Sequence, residues 1–227
     1  MRLFYLALAL LAAALSVAVA PAQQPRDWRT HVVQAPSGAF QIGNPAAKVK
    51  LVEYLSYSCS HCAHFAAESK AALHDDLVRR GVVRVEVRHA IRDPLDLTAA
   101  LLARCSGPQR FAASSEAIFA TQATWYSRGA SWWQGNAATL QSQPERVRLR
   151  RVATASGLAA LMQRQGMSAA RIDQCFATAT DLDRLTAMAD AAWQAIRGTP
   201  SFTVNGAPVD GSDWPSLEPR LRAAGAN

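Results

Sequence analysis

The chain has 227 residues, 50% of them hydrophobic, which is enough to bury the core of one domain carrying an insertion. Lysine and arginine outnumber aspartate and glutamate by 24 to 17, for a net charge of +7. The densest basic run, Arg146, Arg148, Arg150 and Arg151, has no interleaved aromatics and no nucleic-acid motif, so it reads as a solvated helix face with at most a weak attraction for acidic surfaces. No nucleic-acid partner is expected.

Met1-Arg2 is followed by an uncharged run from Leu3 to Ala20. A short basic start, an apolar stretch and then small residues read as a secretory signal over 1–22, with Ala20-Pro21-Ala22 placing cleavage before Gln23. The run is also about long enough to anchor in a bilayer, although its many alanines make it weakly hydrophobic. Residues 23–29, polar and proline-containing, read as a short flexible lead-in. A first strand is predicted over 30–34, turns at Pro36-Ser37-Gly38 and Gly43-Asn44-Pro45, and a second strand over 48–55. A helix over 59–79 should end at Gly81, and Val83, Val85 and Val87 share one face of a strand over 82–91. Strand, helix and strand at this spacing predict a parallel pair with a right-handed crossover.

From 95 to 197 the chain becomes helical in character, rich in alanine, leucine and glutamine. Leu182, Leu185, Ala189 and Trp193 recur at helical spacing, with Thr180 and Asp183 as a capping pair. Strand signal returns over 201–204, Asn205-Gly206 marks a tight hairpin into 207–209, and a short helix starts at about Trp214. No internal repeat or low-complexity tract follows the signal. The predicted architecture is α/β, with a small sheet from 30–94 and 198–227 interrupted by a helical insertion over 95–197.

The chemistry concentrates in Cys59-Ser60-His61-Cys62, where an apolar strand runs into a helix. A thiolate is the reactive form of cysteine, and a helix start favours negative charge. Cys59 is therefore the candidate nucleophile and Cys62, one turn along, its resolving partner. Zinc is the competing use of Cys59, His61, Cys62 and His64, but no second ligand pair with metal spacing exists. Leu51, Glu53 and Leu55 point to one face of the strand, so Glu53 should be partly buried with a raised pKa. The four cysteines, completed by Cys105 and Cys175, allow three pairings; if Cys59 pairs with Cys62, the remaining bridge joins Cys105 to Cys175, unless those two are free buried thiols. Trp125, Tyr126, Trp132 and Trp133 read as packing within the insertion, with a peptide-holding groove near Cys59 as their functional alternative.

Cys59-Ser60-His61-Cys62 after an apolar strand, then a helical insertion, then Gly198-Thr199-Pro200-Ser201-Phe202 leading to a hairpin, resembles the DsbA-type thiol:disulfide oxidoreductases of the thioredoxin superfamily, from about residue 40 to the end. The resemblance implies a thioredoxin-like fold with an inserted helical subdomain and a redox-active Cys59–Cys62 disulfide. It implies that His61 helps stabilise the Cys59 thiolate and that Glu53 is an acid beneath the site assisting proton transfer at Cys62. Pro200 would be cis and face the cysteine pair, shaping the peptide-binding edge, while Thr199 would touch the sulfurs and tune their potential. The oxidase prototype has valine at the place of Thr199, and threonine also occurs in isomerase-type relatives.

The activity implied is that of a periplasmic oxidase donating its disulfide to unfolded or newly secreted proteins with free cysteines. A membrane quinone-linked, DsbB-like thiol oxidase would recharge it, and no cofactor or metal is called for. The rivals are an isomerase or reductase of the same fold, or a redox-inactive peptide-binding chaperone.

Overall fold

The computed structural model describes residues 26–177 and 179–227. The signal read over 1–22 lies outside the described residues. A 3-10 turn at Trp28–Thr30, capped by Asp27, precedes β1 (Val32–Gln34), so the strand starts two residues later than expected. Next comes β2 (Phe40–Ile42), which the sequence reading missed. Three residues are too few to show a period of two; it is the pairing of Phe40 with Val87 and Ile42 with Val85 that makes this segment a strand.

Strand β3 (Val49–Leu55) leads into α1 (Ser60–Ser69), and the helix continues with π winding over Lys70–Val78, where a single α-helix was expected. The wider winding still buries Leu73, Leu77 and Val78. Gly81, at φ 79°, ends the segment with its N–H on the Val78 carbonyl. Strand β4 (Val83–His89) buries alternate residues and runs parallel to β3, as the strand, helix, strand order predicts.

Seven helices follow: α2 (Pro94–Cys105), α3 (Pro108–Ala120), α4 (Gln122–Leu140), α5 (Glu145–Ser156), α6 (Leu158–Arg164), α7 (Ala169–Cys175) and α8 (Thr180–Ala195). Asp93 caps α2 through the N–H groups of Leu95 and Asp96. Every residue of α2 from Leu95 to Cys105 is buried, which makes it the central rod of the helical block. In α8, Leu182, Leu185 and Ala189 are buried, as their spacing predicts. Thr180 does not cap this helix: it is the first helical residue, preceded by Ala179, and among the described residues no side-chain cap bonds the start.

The chain then returns to the sheet with β5 (Ser201–Val204) and β6 (Ala207–Pro208), and closes on α9 (Trp214–Ala223). Asn205 and Gly206 both take positive φ in the connecting turn, as a tight hairpin requires. The six strands among the described residues run in the order β1-β2-β4-β3-β5-β6, and all neighbours except β3 and β4 are antiparallel.

Cys105, at the end of α2, is bonded to Cys175, at the end of α7, across 70 residues of sequence. Closing a loop of that length removes enough unfolded-state entropy to stabilise the fold by roughly 4 kcal/mol. A Cys105→Ala, Cys175→Ala double variant should therefore melt well below the parent in a calorimetric scan, and an unchanged midpoint would show that the bridge contributes nothing. Trp125 is buried with its indole N–H on the Ile118 carbonyl at 2.9 Å, while Tyr126, Trp132 and Trp133 are half-buried against the core.

Candidate active site

The cysteine motif sits where the central parallel strand meets its helix. Strand β3 ends at Leu55, a three-residue loop follows, and Cys59 occupies the cap of α1 with extended backbone. Cys59 is 3% exposed and Cys62 is fully buried; both are free thiols. Opposite them, β5 pairs antiparallel with β3, with Ser201 against Tyr54 and Phe202 against Glu53. Continuing this register two residues beyond Ser201 brings Thr199 level with the loop. The Thr199–Pro200 peptide bond is cis, and the Cys59 thiol donates to the Thr199 carbonyl at 3.2 Å. The residues Cys59, Cys62, Thr199 and Pro200, far apart in sequence, thus come together.

The two sulfurs differ sharply in character. A hydrogen bond from the Cys62 thiol does most to favour the Cys59 thiolate; burial opposes it, and the Thr199 side chain and the main-chain N–H groups of Cys62 and His61 add to it. The net result pulls Cys59 down to about 4, far below an ordinary thiol. Cys62 moves the other way. Burial pushes its thiol up, the bond it gives to Cys59 reinforces the shift, and only the Ser56 N–H (3.5 Å from its sulfur) and Thr199 work against it. His61 is exposed at the helix start, and it is its main-chain N–H that serves Cys59. His64 is also on the surface, 3.6 Å from Glu68.

Glu53 is 2% exposed, on the face of β3 that looks toward α1 and α3. Burial alone raises its carboxyl to about 8, and its Oε1 has no hydrogen-bond partner among the described residues. It opens onto a cavity of about 630 Å³ shared with Phe65, Ser69, Phe111 and Phe119, with Lys70 and Glu116 also on its wall. The Ser69 hydroxyl is buried and unpartnered as well. The cavity wall is mostly apolar, but Glu53, Ser69, Lys70 and Glu116 give it enough polar groups to hold water. Among the described residues Glu53 makes no hydrogen bond to Cys62.

Two groups that sequence reasoning missed lie against the same loop. Asp96, fully buried in the first turn of α2, accepts from the Ser56 hydroxyl at 2.6 Å and from the Tyr57 N–H at 2.8 Å. Burial raises it to about 7, against the pull of its Ser56 bond. Gln122, at the start of α4, donates to the Tyr57 and Cys59 carbonyls, each at 2.7 Å. The Asp93-Pro94 pair, a cap followed by a proline at the first helical position, signals a helix start and so places Asp96 in a first turn. Nothing in the sequence singles out Gln122.

The thioredoxin family pattern matches residues 36–219. A protein-disulfide isomerase from Novosphingobium aromaticivorans is 35% identical, with a TM-score of 0.75 over 81% of this chain and 95% of that one. Wolbachia pipientis alpha-DsbA1, at 20% identity, shares the fold with a TM-score of 0.61 over 84% of this chain and 92% of its own. A Rickettsia typhi protein named as a protein-disulfide oxidoreductase is 38% identical over 66 residues, or 29% of this chain. The chain spans only 24% of the length of that curated relative. The family match runs from ahead of β2 into α9, taking in the inserted helices and the strands from β2 onward, and the chain belongs to the thioredoxin family, with a helix-bearing fold that alpha-DsbA1 shares.

Proposed function

We propose that the protein is an exported thiol:disulfide oxidoreductase that works as a dithiol oxidase on newly secreted proteins. The observation that carries this is the split between the two sulfurs, with Cys59 held down to about 4 and Cys62 pushed up. A substrate thiolate attacks the Cys59 sulfur of the Cys59–Cys62 disulfide, and that bond breaks with its electron pair going to Cys62, which takes up a proton. A second substrate thiolate then attacks the substrate sulfur of the mixed disulfide, and Cys59 leaves as its stable thiolate. The substrate is oxidised by two electrons and the protein is reduced to the dithiol. A stable leaving thiolate makes the reduced form stable and the disulfide a strong oxidant.

Glu53, with its carboxyl raised to about 8, handles the Cys62 proton through intervening water. Thr199 and the cis Pro200 shape the edge where substrate chain lies, and the exposed His61 faces incoming substrate. Export rests on the signal read over 1–22. In the periplasm a membrane quinone-linked, DsbB-like thiol oxidase would return the dithiol to the disulfide.

An isomerase is the second reading, favoured by the 35% identity to a protein named a disulfide isomerase and by threonine rather than valine before the cis proline. Equilibration with glutathione, followed by trapping of free thiols, separates the two. A potential of about −120 mV is expected for an oxidase, one of about −180 mV would favour the isomerase, and one of about −270 mV would overturn both in favour of a reductant. Cys59→Ser should abolish oxidation of a reduced client protein; unchanged client folding by this variant would point instead to a peptide-holding chaperone.

A further inference from the structure

The loop that delivers Cys59 is held almost entirely from the helical insertion. Its donors go to Asp96, which takes the Ser56 hydroxyl (2.6 Å), the Tyr57 N–H (2.8 Å) and also the Arg92 N–H (3.0 Å). Its acceptors go to Gln122, whose amide nitrogen has two hydrogens and spends them on the Tyr57 and Cys59 carbonyls. The Tyr57 hydroxyl adds a bond to Ser115 of α3 at 2.8 Å. Asp96 is fully buried and Gln122 is 8% exposed, with both side chains turned onto the loop's own polar groups.

We infer that Asp96 and Gln122 are positioning residues that form a two-point clamp, through which the inserted helices set the geometry of the two sulfurs. The inference rests on the thiol:disulfide reading above. Gln122 acts on Cys59. The Cys59 carbonyl already receives the Ala63 N–H of the first helical turn at 3.2 Å, and the Gln122 amide is its second donor. Those two bonds fix the orientation of the Cys59 peptide, and with it the place of the sulfur over the N–H groups of His61 and Cys62. Without Gln122 the Tyr57 carbonyl loses its donor among the described residues, and the cap becomes free to turn.

Asp96 acts on Cys62. The residue whose hydroxyl it binds, Ser56, is the residue whose N–H points at the Cys62 sulfur. That N–H is the main-chain donor available to Cys62 when it becomes a thiolate and attacks the mixed disulfide. The two halves of the clamp therefore carry different signatures.

In the full chain, Gln122→Ala should raise the midpoint of the Cys59 thiolate absorbance by about one pH unit. It should also make the dithiol tenfold easier to oxidise, equivalent to a potential lower by about 30 mV. Asp96→Asn should leave that midpoint in place and slow, by tenfold or more, the release of glutathione from a Cys59–glutathione mixed disulfide. In that step the Cys62 sulfur attacks Cys59, the bond to glutathione breaks, and glutathione leaves as its thiolate. Should either variant fail to fold, Gln122→Glu, which keeps the shape but replaces the donor, and Ser56→Ala, which cuts the hydroxyl link to Asp96, carry the same tests. Wild-type midpoint, potential and release rate in folded variants, with only the melting temperature changed, would overturn the clamp. Wild-type protein in the same assays separates the two ideas: no thiol exchange there refutes the oxidoreductase reading itself, whereas variants that match an active wild type refute the clamp alone.

Discussion

Titrated by its ultraviolet absorbance, the reduced protein should hold Cys59 as a thiolate at neutral pH, with a midpoint near 4. The same shift has a consequence for stability. An unfolded cysteine ionises at about 8.5, so at pH 7 the unfolded chain carries a proton at this sulfur that the folded protein does not. Each unit of separation is worth about 1.36 kcal/mol, and roughly three units at pH 7 give about 4 kcal/mol in favour of the folded dithiol. Because the folded pKa is depressed, the contribution is complete above the unfolded pKa and is lost as pH falls through about 4. The disulfide form cannot titrate there. Reduced protein should therefore melt above oxidised protein at pH 7, with the gap closing toward pH 4. Calorimetry of both forms across that range checks this, and a gap that is absent or indifferent to pH would mean that the thiolate is not specially stabilised. The difference is also the thermodynamic root of the proposed oxidising power, since whatever stabilises the dithiol makes its disulfide a readier acceptor of electrons.

The strands of the centre, the crossover and the hairpin were legible because their signals are local. Val83, Val85 and Val87 alternate, Gly81 stops a helix, and Asn205-Gly206 turns a chain whatever surrounds it. Strand β2 was not legible, because three residues become a strand only through β4, which is distant in sequence. The same division runs through the candidate site. Cys59, Cys62 and the Gly-Thr-Pro segment announce themselves by type and order, and Glu53 by its apolar neighbours on one strand face. Asp96 and Gln122 matter through bonds to a loop 39 and 63–65 residues away, and a single buried glutamine in a helical tract leaves no mark on periodicity or composition. His61 shows a subtler gap: the sequence points to its imidazole, while the structure puts its main-chain N–H on the sulfur.

Glu53→Gln should remove a pH dependence of stability and, with it, a proton path. Burial lifts the Glu53 carboxyl from 4.5 to about 8, and among the described residues its Oε1 has no hydrogen-bond partner to offset the cost. Between those two values the unfolded chain has lost this proton and the folded protein keeps it. Stability from this group is thus fully present below about 4.5 and is lost as pH rises through 8; at pH 7 the loss is about 3 kcal/mol at 1.36 kcal/mol per unit. The disulfide form is the one to measure, because Cys59 is then silent. Asp96, also raised by burial, adds a slope of the same sign, so the comparison is the difference between wild type and variant. That difference should grow from pH 5 to pH 8 in favour of glutamine, and superimposable profiles would mean that Glu53 is not a buried neutral acid. Function should move the opposite way. An amide can neither take nor return the Cys62 proton, so the attack of Cys62 on a mixed disulfide should slow on the order of 100-fold and lose its inflection near pH 8. A variant that gains stability while keeping the wild-type rate and inflection would separate the two effects and leave the proton to another group; loss of both together ties the cost of burying this carboxyl to the chemistry it serves.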